Sequence, residues 1–281
     1  MDKLYEAREH PYVKSIEQIW GVYAPYAAPS FQTNFLRACN TSSRKAFLWE
    51  MMLVKRFLEE GFEVLPNPDD DRPDISLLIG GRRVWVECTV PTRGHPFSHD
   101  YKEKFPSDGK VRKIDMEPSV LRCANSLDQK KKQYQKWLDK GVCKHGEPYI
   151  IAINGSNLDL RIYQSRLPEI LSCVYSMGNL YSQIGIQNGS ILDCQSVYEI
   201  RDEILKNNGS SVSMAFFINP ENCGITGLIY STDEIGLLSA SPLYCYVQNV
   251  NAPVMEDWGP SDFMTYSYSE DGGGNRTNVS R

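Results

Sequence analysis

Two acidic side chains stand out in the stretch 72–91, RPDISLLIGGRRVWVECTVP, because the segments that carry them otherwise read as core strands. DISLLI and RVWVECTV are rich in β-branched and apolar residues, and Gly80-Gly81 lies between them. Such a pair is a hairpin signal, since primed two-residue turns need positive φ. With those glycines as the turn, Ile79 pairs with Arg82, and counting back sets Asp74 directly opposite Glu87. Period-2 alternation sends Ile75, Leu77, Ile79, Val84, Val86, Cys88 and Val90 to one face. Asp74, Ser76, Trp85, Glu87 and Thr89 take the other.

Like charges directly opposed across a sheet repel, with Cβ atoms only about 5 Å apart. One reading is a solvated outer face on which the carboxylates diverge beside Arg82 and Arg83. The other is a divalent cation between them, since Mg2+ binds through one or two carboxylates, waters and substrate phosphate.

Other residues bear on that choice. Glu50 falls between Phe47 and Val54 and borders an apolar helical stripe, where a carboxylate needs a partner or a cation. On a later helix, Lys130 and Lys131 both lie within a turn of Leu127 and Tyr134, so at least one ammonium rises from the inward face. It either snorkels to water or aims at the acidic hairpin face, with Gln133 and Tyr134 beside it as donors. His95 and His99 have i, i+4 spacing, but Pro96 makes a helix doubtful and no third zinc ligand is apparent.

The elements that must position these residues follow from local pattern. TSSRKAFLWEMMLVKRFLEEG reads as a helix, capped by Ser42 or Ser43, striped by Phe47, Met51, Val54 and Leu58, and stopped at Gly61. FEVL is a short strand, and PNPDDDRP a loop into the hairpin. Residues 91–117 lack periodicity and read as an excursion. SVLRCANSLDQKKKQYQKWLDKG is a second helix, with Val120, Ala124, Leu127, Tyr134 and Leu138 on one face, and YIIAIN is a buried strand. RLPEILSCVYSM looks helical, while SVSMAFFINP, ITGLIYS and LYCYVQN read as strands extending the sheet. The expected organisation is a lead-in over 1–32, one α/β domain over 33–255 and a flexible tail over 256–281.

Composition sets bounds on all this. The 281 residues are 41% hydrophobic and 11% aromatic, ordinary globular material. No apolar run reaches the ~18 residues of a membrane span, and the charged N-terminus is not a standard secretion signal. The expectation is a cytoplasmic chain without membrane contact. Eight scattered cysteines with no CxxC pair then read as reduced, mostly buried thiols. The net charge of −5 is uneven: residues 101–145 carry twelve basic and six acidic groups, an excess of six that leaves −11 elsewhere. A basic patch beside an acidic pair favours a phosphodiester substrate, although a charge run is also how a solvated helix face looks.

Taken together, Pro73-Asp74, Glu87-Cys88-Thr89, Trp49-Glu50 and KKKQY (130–134) resemble the PD-(D/E)xK superfamily of restriction-endonuclease-like phosphodiesterases. The resemblance covers about half the chain, residues 43–154, and implies an αβββαβ core within a mixed sheet flanked by helices. VWVECTVP with KxxQY looks like a bacterial branch known by pattern rather than by assigned activity. The motif lysine is replaced by Thr89, on the correct face but without charge. A lysine displaced to the following helix occurs among members of the superfamily, and Lys130, ahead of Lys131, is placed for it.

What the resemblance implies is a Mg2+- or Mn2+-dependent nuclease. Asp74, Glu87 and the Cys88 carbonyl would bind the ion, with Glu50 reaching it through water or holding a second one. Lys130 or Lys131 would orient the nucleophile or offset transition-state charge, and Thr89 could position a water. Gln133, Tyr134 and Arg122 would touch the substrate, DNA ahead of RNA, and a homodimer is one possible assembly. The competing class is an inactive nuclease-fold module that binds nucleic acid or a protein partner.

Overall fold

The computed structural model describes residues 11–38, 41–94, 117–158, 168–187, 190–206, 208–233, 244–253, 255, 258, 263–269 and 278–280. His95, His99 and most of the expected excursion at 91–117 lie outside the described residues.

Three helices lead into the sheet: α1 (Pro11–Tyr23), α2 (Phe31–Arg37) and α3 (Thr41–Glu59). Then come β1 (Glu63–Leu65), β2 (Ile75–Ile79), β3 (Arg82–Thr89), α4 (Glu117–Asp139) and β4 (Tyr149–Asn154). Both long helices end in the same hydrogen-bonded cap. Gly61 N–H donates to Leu58 and Phe62 N–H to Phe57, and Gly141 and Val142 repeat this on Leu138 and Trp137. The order helix, three strands, helix, strand is the one expected from the sequence.

Beyond β4 lie α5 (Ile170–Tyr175), β5 (Met177–Gln187), β6 (Ser190–Ile200), β7 (Glu203–Leu205) and β8 (Ser211–Ser213). The chain closes with β9 (Gly227–Ser231), β10 (Tyr244–Gln248), β11 (Met264–Ser269) and β12 (Asn278–Ser280). Eight strands form one mixed sheet in the order β1-β2-β3-β4-β9-β10-β11-β12. β1, β2 and β3 are mutually antiparallel, and β4 runs parallel to both β3 and β9. β5 with β6, and β7 with β8, make separate two-stranded ribbons. Among the described residues no helix is long and apolar enough to cross a membrane.

Three sequence expectations need correction here. SVSMAFFINP does not extend the sheet: only Ser211–Ser213 is a strand, and it pairs with β7. Met214, Phe216 and Phe217 are buried in the turns that follow, so the apolar run marks a core loop. The segment read as a flexible tail contains β11, which pairs parallel to β10 and buries Tyr266, and β12, which pairs with β11. The hairpin's second face is not solvated either. Two helical layers cover the sheet, so both faces are core. Ile75, Leu77, Val84, Val86 and Cys88 pack with Trp49, Leu53 and Phe57 of α3, while Trp85, Tyr149 and Ile151 pack with Leu127, Tyr134 and Trp137 of α4. The six cysteines described at side-chain level are free, five of them buried and Cys223 exposed.

Candidate active site

The hairpin has the expected register. Ile79 faces Arg82 and Ile75 faces Val86, with Gly80 and Gly81 at φ of 55° and 75° in the turn. Ladder pairing stops at Ile75, and Asp74 sits one residue before the strand. Its Oδ2 takes over as acceptor, receiving the Cys88 N–H at 2.7 Å. In a strand the N–H and C=O of one residue leave on the same side, so the Cys88 carbonyl points towards the edge where Asp74 lies. The loop carrying Asp74 is pinned by Asn67, whose N–H donates to the Tyr26 carbonyl and whose side-chain amide donates to that of Pro73.

Glu87, 5% exposed, projects towards α4. Its Oε1 lies 2.7 Å from Lys130 Nζ, and its Oε2 has the Tyr149 hydroxyl at 3.3 Å and Trp137 Nε1 at 3.4 Å. Lys130 and Trp137 are two helical turns apart and so share one face of α4. Tyr149 opens β4 at the position paired with Trp85. Glu50 approaches from α3, where the neighbouring Trp49 Nε1 donates to the Ala152 carbonyl of β4 and fixes the helix on the sheet. Residues 48–54 of α3 are all buried, because the helix lies between the sheet and the two shorter helices before it. Glu50 is therefore enclosed rather than bordering a stripe, and its Oε1 accepts the Tyr23 hydroxyl of α1.

The charges of Glu50, Asp74, Glu87 and Lys130 act on one another. Desolvation, with the charge of Glu87 added to it, pushes the Asp74 carboxyl up to about 7, although Lys130 and the Cys88 N–H pull the other way. Burial raises Glu50 well above the usual carboxylate range, and the charge of Asp74 adds to this. Burial works against the Lys130 charge, yet Glu87 and Asp74 outweigh it, so Lys130 holds its proton more tightly than an ordinary lysine. Burial and Glu87 likewise raise Tyr149, which stays a neutral donor.

Among the described residues no group of three or more His, Cys, Asp and Glu side chains is arranged to hold a metal ion. The donors at the hairpin are two carboxylates and a backbone carbonyl. Such hard oxygens suit Mg2+, which fills its remaining positions with water and phosphate, and the surplus of carboxylate over ammonium is what a divalent cation would offset.

The remaining residues singled out in the sequence divide. Thr89 is half-buried, two residues beyond Glu87 and on the same face of β3. Lys131 turns away from the hairpin: its Nζ lies 3.7 Å from Glu221, and it lines a cleft of about 470 Å³ with Asp128, Tyr134, Asn222 and Gly224. The ring of Tyr134 packs at 4.5 Å on that of Tyr149, so it meets the carboxylates only through its neighbour. Arg122 binds Thr92 through its carbonyl at 2.7 Å and its hydroxyl at 3.1 Å, more than two turns of α4 from Lys130. Gln133 is half-buried on α4.

Sequence reasoning did not find Tyr23, Trp137 or Tyr149. For Trp137 a signal exists, since it lies seven residues after Lys130 on one helix face. A tyrosine opening a buried strand is a weaker signal, because a buried hydroxyl needs a partner. Nothing local points to Tyr23. No protein-family model matches the chain, and neither a curated protein nor a solved structure matches it.

Proposed function

We propose that the protein is a divalent-ion-dependent phosphodiesterase acting on nucleic acid, built on a restriction-endonuclease-like core over residues 43–154. The observation that carries this reading is the position of Lys130. Its ammonium, from the helix after the hairpin, lies 2.7 Å from Glu87, and Thr89, two residues further along β3, leaves the motif without a charge of its own. The order of elements supports it, as do the three antiparallel strands and the parallel β4.

In this reading Asp74, Glu87 and the Cys88 carbonyl hold Mg2+ or Mn2+, with Glu50 behind them. The ion supplies Lewis acidity towards a phosphate oxygen and water. Lys130 offsets negative charge developing on the phosphate, a contribution worth roughly a hundredfold or more in rate for one well-placed group. Tyr149 and Trp137 orient Glu87 through its second oxygen, and the half-buried Thr89 hydroxyl can hold a water nearby.

The test is incubation of purified protein with plasmid, linear DNA and RNA, with and without Mg2+ or Mn2+. Ion-dependent cleavage supports the reading, and no cleavage of any of them under either ion removes it. One observation favours a second reading, a non-catalytic module on the same fold: Lys130 already neutralises Glu87, and both carboxylate oxygens have partners. Binding of a nucleic acid without cleavage would select that alternative.

A further inference from the structure

The cleft of about 470 Å³ beside Lys131 lies between α4 and the loop that leads into β9. Its walls carry hydrogen-bond donors that the protein itself does not use. Tyr134 lines it and is 7% exposed, and among the described residues its hydroxyl has no hydrogen-bond partner. Burial raises the titration range of this phenol, so it stays a neutral donor. Gly224 lines the same cleft against it. The φ of Gly224 is not positive, so backbone conformation does not call for a glycine there. Space does: a Cβ would stand 2.7 Å from the Tyr134 ring and 2.8 Å from its hydroxyl. The Gly224 N–H also donates to no group among the described residues.

Two lysines of α4 add charge to this cleft. Lys132 is exposed and has no ion-pair partner among the described residues. Lys131 has Glu221 at 3.7 Å, but that carboxylate is 77% exposed, so the pair is weak and a ligand can replace it. Asp128, one turn before the lysines, is exposed to water. The amides of Asn222 and Gln135 already donate, to the Phe216 carbonyl and to Asp139. We infer that the cleft is a phosphate-binding site, with Lys131 and Lys132 supplying charge and the Tyr134 hydroxyl and Gly224 N–H supplying fixed donors. A tetrahedral oxyanion accepts several hydrogen bonds at once, and lysines, hydroxyls and backbone N–H groups are the donors that meet it. The phosphate belongs to a small phosphorylated molecule or to a nucleic-acid backbone, which present the same oxygens. The inference goes beyond the hairpin site and needs no ion at Asp74 or Glu87.

The experiment is calorimetric titration of the full-length protein, with a chelator excluding divalent ions. The probes are inorganic phosphate, a nucleoside 5′-monophosphate and a dinucleotide with one internal phosphodiester. At least one should bind at millimolar concentration or below. Tyr134→Phe keeps the ring on Tyr149 and removes the donor, so it should weaken that binding by about tenfold. Lys131→Gln and Lys132→Gln should each weaken it severalfold, whereas Glu221→Gln, which frees Lys131, should tighten it. Lys136→Gln removes a charge that lies over the Trp137 ring, outside the cleft, and should leave binding unchanged. Tighter binding of phosphate or the monophosphate assigns the site to a small phosphorylated molecule, and tighter binding of the dinucleotide assigns it to a nucleic-acid backbone. No binding of any probe at millimolar concentration overturns the inference. Equal losses in Lys131→Gln and Lys136→Gln, or unchanged affinity in Tyr134→Phe, also overturn it. Ion-dependent cleavage is scored separately, so failure here leaves the proposed function standing.

Discussion

Lys130 and Glu87 are 43 positions apart in the chain, on different elements, and their side chains meet at 2.7 Å. The pair closes the angle between β3 and the helix that crosses over it. Lys130→Ala removes the ammonium paired with this buried carboxylate. If the protein cleaves nucleic acid, the rate should fall on the order of a hundredfold or more, while Mn2+ binding persists. Lys131→Ala and Lys136→Ala should stay within a few-fold of wild type, because Lys131 pairs with Glu221 and Lys136 lies over the Trp137 ring. Equal losses in all three variants would mean that general helix charge, rather than Lys130, assists cleavage.

Asp74 makes the ion-free protein sensitive to pH in a defined direction. Its folded carboxyl lies near 7, against 3.8 when unperturbed. Because the folded value is the higher one, the stability it contributes is fully present below about pH 4. That stability is lost as pH rises to about 7, with little further change above. Asp74→Asn should flatten this component of the thermal midpoint measured between pH 4 and 8 without divalent ions, and above pH 7 it should be the more stable form. An unaltered pH profile in Asp74→Asn would contradict the assignment.

Adding the ion should reverse that penalty. Mn2+ binding only the folded state raises stability by about 2.7 kcal/mol at a hundredfold excess over its dissociation constant. The carboxylates must be deprotonated to bind it, so the thermal shift should grow from pH 5.5 to pH 7.5 and be accompanied by proton release. Asp74→Asn should abolish most of the shift. Calorimetry in two buffers of different ionisation enthalpy counts the protons, and a shift independent of pH would place the ion elsewhere.

Gly224 offers a test remote from the charges. A Cβ at that position would stand 2.7 Å from the Tyr134 ring, which packs on Tyr149, whose hydroxyl reaches Glu87. Gly224→Ala should cost about 1–3 kcal/mol as an overpacking change, read by chemical denaturation. If the aromatic pair holds Glu87 in place, a Tyr149→Phe background should lessen any accompanying loss of cleavage.

The hairpin was legible because its determinants are local: a Gly-Gly turn flanked by segments that alternate or run apolar. That alternation could not reveal what covers the polar face. Ser76, Glu87 and Thr89 read as outward-facing by residue type, and only the placement of α4 turns the region around Glu87 into an interior. The choice between Lys130 and Lys131 shows the same limit. Both lie within one turn of the apolar stripe, and Trp137, seven residues beyond Lys130, identifies the inward one. The Tyr23–Glu50 contact spans 27 positions and left no periodic trace. SVSMAFFINP misled because a buried turn and a buried strand share the same apolar composition, and here the chain turns at Phe216 and Phe217.

The two-residue turn at Gly80-Gly81 also imposes a rule of parity on this chain. Each added residue in β2 or β3 exchanges the two faces of everything beyond it. A single insertion between the turn and Val86 would swing the Glu87 carboxylate into the aliphatic layer under α3 and bring Val86 beneath Lys130. Two insertions would restore the face but carry Glu87 one pleat, about 7 Å, along the sheet, out of reach of Asp74. Length change within the twelve positions between Asp74 and Glu87 is thus closed to this chain in odd steps and in even ones, whereas the connections before Pro73 and after Pro91 bear no such constraint.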